Sequence, residues 1–440
     1  MNRLLPRLVA PTLFACLLSA VPAIRAADET FAPRRSSPAE AALTTERAHH
    51  LAELGVDRWL AAGATGRGVK VAILDSGLHG YKDQLGKALP AKVSVHSFRK
   101  DGNLEARDSQ HGILCGEVVH ALAPDADILF ANWEEDDADT FLQAVRWARE
   151  QGAQIISCSV IMPSHSDGDG GGPVHRELAR ILGAGDRRGD VLFFASAGNT
   201  AERHWAGKFH ANADGFNEWS PGVVDNALTP WGKDRVAVEL CCKTGTTYEL
   251  IVSDSESGDV VARSGAPVEA GSDCRVARFN PTAGHSYRVR TRLVAGKPGS
   301  FHVVALGAGL KETSAAGSVA FPADGPEVVA VGAVDHAGKR ASYSACGSAD
   351  GKAKPDLVAP VPFTSAWRAK PFAGTSAAAP QAAALAALVW SRSLDWTAER
   401  VRATLRKSAK DLGPPGCDPE TGYGLIQLPA AEVRGTAKAP

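Results

Sequence analysis

Apolar positions along the chain first follow the spacing of alternating strands and helices. They then shift to short strands alone, and afterwards return to the mixed spacing. Residues 71–74 are a short apolar β-type run that closes on Asp75-Ser76-Gly77. Residues 111–122 carry apolar positions at helical spacing, 127–132 predict a strand, 139–151 an amphipathic helix and 153–160 a further strand. A helix over 174–182 and a buried strand over 191–195 continue the series. Strands alternating with helices predict βαβ units, hence an α/β fold with a mostly parallel sheet flanked by helices.

After about Asp225 the texture changes. The runs 236–240, 247–252, 260–263, 275–279, 287–294 and 301–306 are rich in β-formers and punctuated by Gly, Pro, Ser and Asp. No long helical period intervenes, which predicts a small all-β, sandwich-like module. From about Gly317 the α/β texture resumes, with a strand over 328–334 and a long Ala-rich helix starting near Ser376. Two like halves around an unlike middle predict an insertion. The α/β domain would occupy 49–225 and 317–432, the β module 226–316, and a tail 433–440.

The N-terminus has a different character. Arg3 and Arg7 precede an apolar stretch over 8–20, and small residues follow at Ala23, Ala26 and Ala27. This is the pattern of a secretory signal peptide cut after Ala26. An uncleaved anchor helix fits less well because the apolar run is short. A lipid anchor on Cys16 fits less well because Phe14 stands where a small residue is usual. Residues 27–48 are polar, with Pro33, Arg34, Arg35 and Pro38, and read as a mobile leader. The expectation is a secreted or periplasmic protein with no integral membrane anchor once the signal is removed.

Composition narrows the class. The chain has 440 residues, 44% hydrophobic and 22% charged, which is ordinary globular usage. Forty-eight Lys and Arg against 49 Asp and Glu give a net charge of −1. That balance argues against a nucleic-acid surface. Eight cysteines are too few for a disulfide scaffold. Without Cys16 the count is odd, so at least one thiol lacks an intrachain partner. The pairing expected within the β module joins Cys241 or Cys242 to Cys274.

Four places combine reactive groups with the end of a strand or the start of a helix, where sites of open α/β sheets gather. Asp75 closes a buried strand. His111-Gly112 opens a helix. Asn199 ends the apolar run Phe193-Phe-Ala-Ser-Ala-Gly-Asn199. Ser376 opens a very apolar helix within Gly374-Thr-Ser-Ala-Ala-Ala-Pro380. Taken singly, the first three read more readily as turn or structural residues, and Ser376 as a helix cap. A capping role leaves Pro380 unexplained, since a purely structural helix avoids proline in its interior. Free N–H groups at a helix start suit a nucleophile whose attack creates an oxyanion.

The order Asp75, His111, Ser376 and the flanking blocks together resemble the signature sequences of the subtilisin-like serine proteases. Those blocks are Val-Ala-Ile-Leu-Asp-Ser-Gly, His-Gly-Ile-Leu-Cys-Gly, Ser-Ala-Gly-Asn and Gly-Thr-Ser-Ala-Ala-Ala-Pro, with Lys354-Pro-Asp-Leu-Val-Ala-Pro360 ahead of the last. The resemblance covers about 49–225 and 317–430. It implies an exported serine endopeptidase acting on proteins or peptides through an acyl-enzyme. Ser376 would be nucleophile, His111 general base and then acid, and Asp75 the group that orients the imidazole. The Asn199 amide and the Ser376 N–H would form the oxyanion hole. The strand ending Ser159-Val160-Ile161 would line the substrate cleft.

Several positions depart from the family pattern. Ile161 stands where glycine is usual, which predicts a narrowed cleft. Ala377 replaces a common Met, Gln381 a common His and Ile113 a common Thr. Ile161 and the β module keep a second reading open, a catalytically silent or very narrow binding protein on the same fold. Cys115 lies one helical turn after His111, either as a small buried residue or as a thiol whose modification would inhibit. No cofactor is required by this chemistry. Structural calcium is left as an expectation, with hard oxygen donors at Asn212, Asp214, Asn217 and Glu218 and at Asp167 and Asp169. The role of the β module, edge cover or substrate dock, is not fixed by the sequence.

Overall fold

The computed structural model describes residues 38–243, 245–268, 273–347 and 353–430. The proposed signal peptide and the tail from 433 lie outside them. The chain divides into two units, Met1–Ala41 and Ala42–Pro440. Of the first, only the opening residues of helix α1 (Pro38–Glu53) are described. All other described residues belong to the second.

After α1 come α2 (Val56–Ala61), β1 (Lys70–Leu74), β2 (Ser94–Ser97), α3 (His111–Leu122), β3 (Asp127–Asn132), α4 (Ala138–Glu150), β4 (Ile155–Cys158), α5 (Pro173–Leu182) and β5 (Leu192–Ser196). The middle of the chain contributes β6 (His204–Lys208), β7 (Asn226–Pro230), β8 (Val236–Cys242), β9 (Thr247–Asp254), β10 (Val260–Arg263), β11 (Arg275–Phe279), β12 (Tyr287–Ala295), β13 (Ser300–Leu306) and β14 (Ala308–Leu310). The last elements are β15 (Val328–Val334), β16 (Leu357–Pro360), α6 (Thr375–Ser391) and α7 (Ala398–Ser408).

Seven strands form one sheet in the order β16-β15-β5-β4-β1-β3-β2, and every pairing in it is parallel. Parallel strands are buried on both faces and so read as continuous apolar runs. In β1, Val71 and Ile73 face a core shared with α3 and α6, while Ala72 and Leu74 face a second core shared with α4 and α5. Helix α6 is apolar all round and buried from Ala377 to Trp390, as a helix inside a core must be.

The middle strands form two antiparallel sheets, β10-β9-β12-β7-β14 and β11-β8-β13-β6. Their inner faces share a core that includes Trp205, Trp219, Leu240, Tyr248, Val252 and Phe301. A disulfide joins Cys241 to Cys274 across 33 residues. Closing a loop of that size stabilises by roughly 3–4 kcal/mol in the chain-entropy model. Cys115, Cys158, Cys242, Cys346 and Cys417 are free thiols.

Two expectations need correction. The β sheets begin at His204, not near 226. His204–Lys208 hid from the pattern because it has no β-branched residue, ends in polar His204 and Lys208 and contains Gly207. Yet Trp205 inserts into the sandwich core, and a Cβ on Gly207 would meet the Trp205 ring at 2.6 Å. Nor is the leader mobile as far as residue 48, since helix α1 takes in its last residues. Arg47 pairs with the buried Glu117 at 2.9 Å and lies over the Phe363 ring. His50 Nε2 sits 2.8 Å from Gln381 Oε1. The helix looks unanchored from its polarity because its partners are distant in sequence.

Candidate active site

Asp75 follows β1 and is wholly buried. Its Oδ1 accepts the Gly77 N–H at 2.8 Å, and its Oδ2 lies 2.7 Å from His111 Nδ1. His111 is the first residue of α3. The start of that helix rests on the turn after β1, where Gly112 N–H donates to Gly77 O at 2.7 Å. This approach requires glycine on both sides. A Cβ on Gly77 would stand 2.7 Å from His111 N, and one on Gly112 2.8 Å from Asp75 Cβ.

Burial opposes a charge on His111, but the Asp75 carboxylate and, after it, Cys115 together hold the imidazole well above the ordinary histidine value of 6.5. Phe372 packs edge-on against the ring, with centroids 5.4 Å apart. A cleft of about 530 Å³ opens beside His111, lined among others by Gln110, Leu114, Arg368, Lys370 and Phe372.

Ser376 lies in the first turn of α6. Its Oγ donates to Ser159 O at 3.4 Å, and Ser159 Oγ donates to Ser376 O at 3.1 Å. The end of β4 is thereby laced to the start of α6. Cys115 Sγ lies 3.7 Å from Ser376 O and 3.9 Å from Asp75 Oδ2. The thiol is buried, and burial pushes its pKa up. Asp75, His111 and Cys115 are the only trio of such groups among the described residues whose ligand atoms all lie within 4.8 Å.

Asn199 reaches α6 from the end of β5. Its Oδ1 accepts both the Thr375 N–H and the Thr375 hydroxyl at 3.0 Å. With Oδ1 engaged, Nδ2 is the amide atom left to donate elsewhere. Gly374, at φ +83°, makes the approach possible, since a Cβ there would stand 2.9 Å from Asn199 Nδ2.

The sequence-chosen cleft residues have separate positions. Ser159 is buried against Ser376, and Val160 packs toward the second core. Ile161 Cγ2 lies 3.6 Å from where a Cβ on Gly198 would stand, which puts it beside the loop that carries Asn199. The oxygen-rich loops direct side-chain oxygens to their own backbone. Asp167 Oδ1 accepts the Asp169 and Gly171 N–H groups, and Asp169 lies 3.2 Å from Lys243 Nζ. Asn212 Oδ1 accepts from Asp214 and Phe216, and Asn217 Oδ1 from His210. Those oxygens close turns within their own loops.

One residue escaped the sequence reading. Glu117, two turns along α3 from His111, is buried and accepts from Ser365 Oγ at 2.7 Å and Trp367 Nε1 at 3.1 Å, as well as pairing with Arg47. It fastens the segment leading to Ser376 onto the histidine helix. A buried acid on an otherwise apolar helix face was the available signal.

The model of the Subtilase family matches residues 66–234 and 251–424. The chain belongs to the subtilase family. It is 39% identical to subtilisin of Bacillus pumilus over 134 residues, which is 29% of this chain and 46% of that protein. It is 38% identical to subtilisin E of Bacillus subtilis strain 168 over 134 residues, covering 29% of this chain and 33% of that one. The matched region thus spans less than half the length of these relatives. The structure of the CspB protease of Clostridium perfringens superposes with a TM-score of 0.60 at 16% identity, over 86% of this chain and 97% of that one. That likeness concerns the fold.

The closeness of Gly374 to Asn199 gives a test of the local geometry. Gly374→Ala is expected to lower peptide hydrolysis by roughly tenfold or more, because the methyl displaces the Asn199 amide. Turnover at the wild-type rate would show that Asn199 is not held by this approach.

Proposed function

We propose that this chain is an exported serine endopeptidase that hydrolyses peptide bonds through Asp75, His111 and Ser376. The observation that carries the reading is the 2.7 Å contact between buried Asp75 and His111 Nδ1, set against a serine in the first turn of a buried helix. Asp75 accepts the proton on Nδ1, which leaves Nε2 as the base that takes the Ser376 proton during attack on the scissile carbonyl. The same nitrogen then gives the proton to the leaving amine, and water repeats the sequence on the acyl-enzyme. The new oxyanion is met by Asn199 Nδ2 and the Ser376 N–H, the latter unused by the helix because it lies in its first turn. A structural calcium has no part in this reading.

Export rests on the N-terminal pattern. Among the described residues no helix is long and apolar enough to cross a membrane. The substrates are proteins or peptides, with no nucleic acid involved. Ile161, beside the Asn199 loop, favours a narrow range of substrates. The second reading, a silent binding protein, rests on the same residue and on the β module.

The test is a cleavage profile. Purified protein and its Ser376→Ala variant are incubated with a diverse peptide library and read by mass spectrometry. New termini are expected from the wild type alone. Equal cleavage by both proteins would remove Ser376 as nucleophile, and no cleavage by either would favour the binding protein.

A pH profile tests the base. Neutral imidazole is the active form, so kcat/KM falls as pH drops through the His111 pKa. Because that pKa is raised, the acid limb is expected to have its midpoint above 6.5. A midpoint below that value would contradict the pairing with Asp75.

A further inference from the structure

We propose that Arg203 is a positioning residue through which the β module fixes the backbone of Asn199, so that the module acts on the oxyanion loop. This rests on the function proposed above and deepens it.

The chain passes from β5 through Gly198, Asn199 and Thr200 directly into β6, the first strand of the module. Arg203 stands at the junction. Its Nε donates to Asn199 O at 2.9 Å, and its own N–H donates to Thr200 O at 2.9 Å. Toward the module, one guanidinium nitrogen donates to Ala305 O at 3.3 Å, and Arg203 O accepts the Ala305 N–H at 3.0 Å. Ala305 lies in β13. The guanidinium also sits 5.0 Å over the ring of Trp231, which follows β7 and is 65% exposed. One side chain therefore joins the Asn199 carbonyl to two separate parts of the sandwich.

The chemistry is unusual for a plain structural arginine. No carboxylate pairs with Arg203 among the described residues. Burial draws its pKa down to about 10, which leaves it charged at neutral pH. A partly buried cation without an anion is costly unless its donors are used. Here they are spent on main-chain oxygens and an aromatic face.

Asn199 needs such a hold. Thr375 fixes its side chain from α6, but its backbone follows Gly198, whose φ of +108° lies where only glycine is at ease. Gly198 is itself tied, its N–H donating to Thr375 Oγ1 at 3.2 Å and its O accepting the Ala345 N–H at 2.9 Å, and Arg203 extends that hold to the Asn199 carbonyl. The returning end of the module closes the other side, with Thr200 Oγ1 donating to Ser318 O at 2.6 Å.

The test is a double-mutant cycle on a peptide taken from the cleavage profile. Arg203→Ala is expected to lower kcat about tenfold with KM unchanged. It should weaken binding of a peptide aldehyde by a similar factor, because Ser376 Oγ adds to the aldehyde carbonyl and the resulting hemiacetal oxygen occupies the oxyanion position, and leave binding of the product peptide alone. Trp231→Ala should act in the same direction by about threefold. In an Asn199→Ala background either change should cost less than about twofold, because the group it positions is gone. Equal losses in both backgrounds would overturn the proposal. If thermal unfolding shows that Arg203→Ala does not fold, Trp231→Ala decides, since its ring is exposed. A folded Trp231→Ala with wild-type kcat and aldehyde affinity would overturn it too. A wild type that cuts no peptide contradicts the proposed function itself, and this inference falls with it.

Discussion

Asp75 is a carboxylate with no exposed surface, placed at the end of a strand in the middle of a parallel sheet. Removing such a group from water costs several kcal/mol unless its lone pairs are met. They are met by the Gly77 N–H and by His111 Nδ1. That demand brings the first turn of α3 onto the turn after β1, and two glycines leave the room for it. Once the helix is seated there, His111 has one orientation, Cys115 falls beneath it, and Glu117 reaches the segment that leads to Ser376. The geometry of the site follows from satisfying one buried charge.

The other half of the site is set by α6. Its buried, Ala-rich body has no freedom to shift, so its first turn is a fixed platform for Ser376 and Thr375. Asn199 is drawn to that platform by two hydrogen bonds to Thr375. Cys115 of α3 and Ser159 after β4 both meet the Ser376 carbonyl, so this turn joins parts of the chain that are far apart in sequence.

The sequence displayed much of this because the pertinent residues sit at strand ends and helix starts, where apolar periodicity stops abruptly. Asp75, His111, Asn199 and Ser376 each mark such a stop. The parallel strands were legible because burial on both faces makes them continuous apolar runs. What was hidden depends on pairing between distant segments. The polar α1 is anchored by Arg47 on Glu117 and by His50 on Gln381, partners that no local pattern reveals. Strand β6 lacks β-branched residues and is too polar at its ends to register. The tie from Arg203 to Asn199, Ala305 and Trp231 spans three segments and leaves no periodic trace.

The most direct test of a working Asp75-His111-Ser376 triad is covalent labelling at the serine. A fluorophosphonate at low concentration reacts far faster with a serine activated by a neighbouring base than with an ordinary one. The intact protein would be treated and the modified residue located by peptide mass spectrometry. One adduct is expected, on Ser376, and it should disappear in a folded His111→Ala variant. No adduct on the folded wild type, or an adduct on Ser376 that survives loss of His111, would contradict the triad.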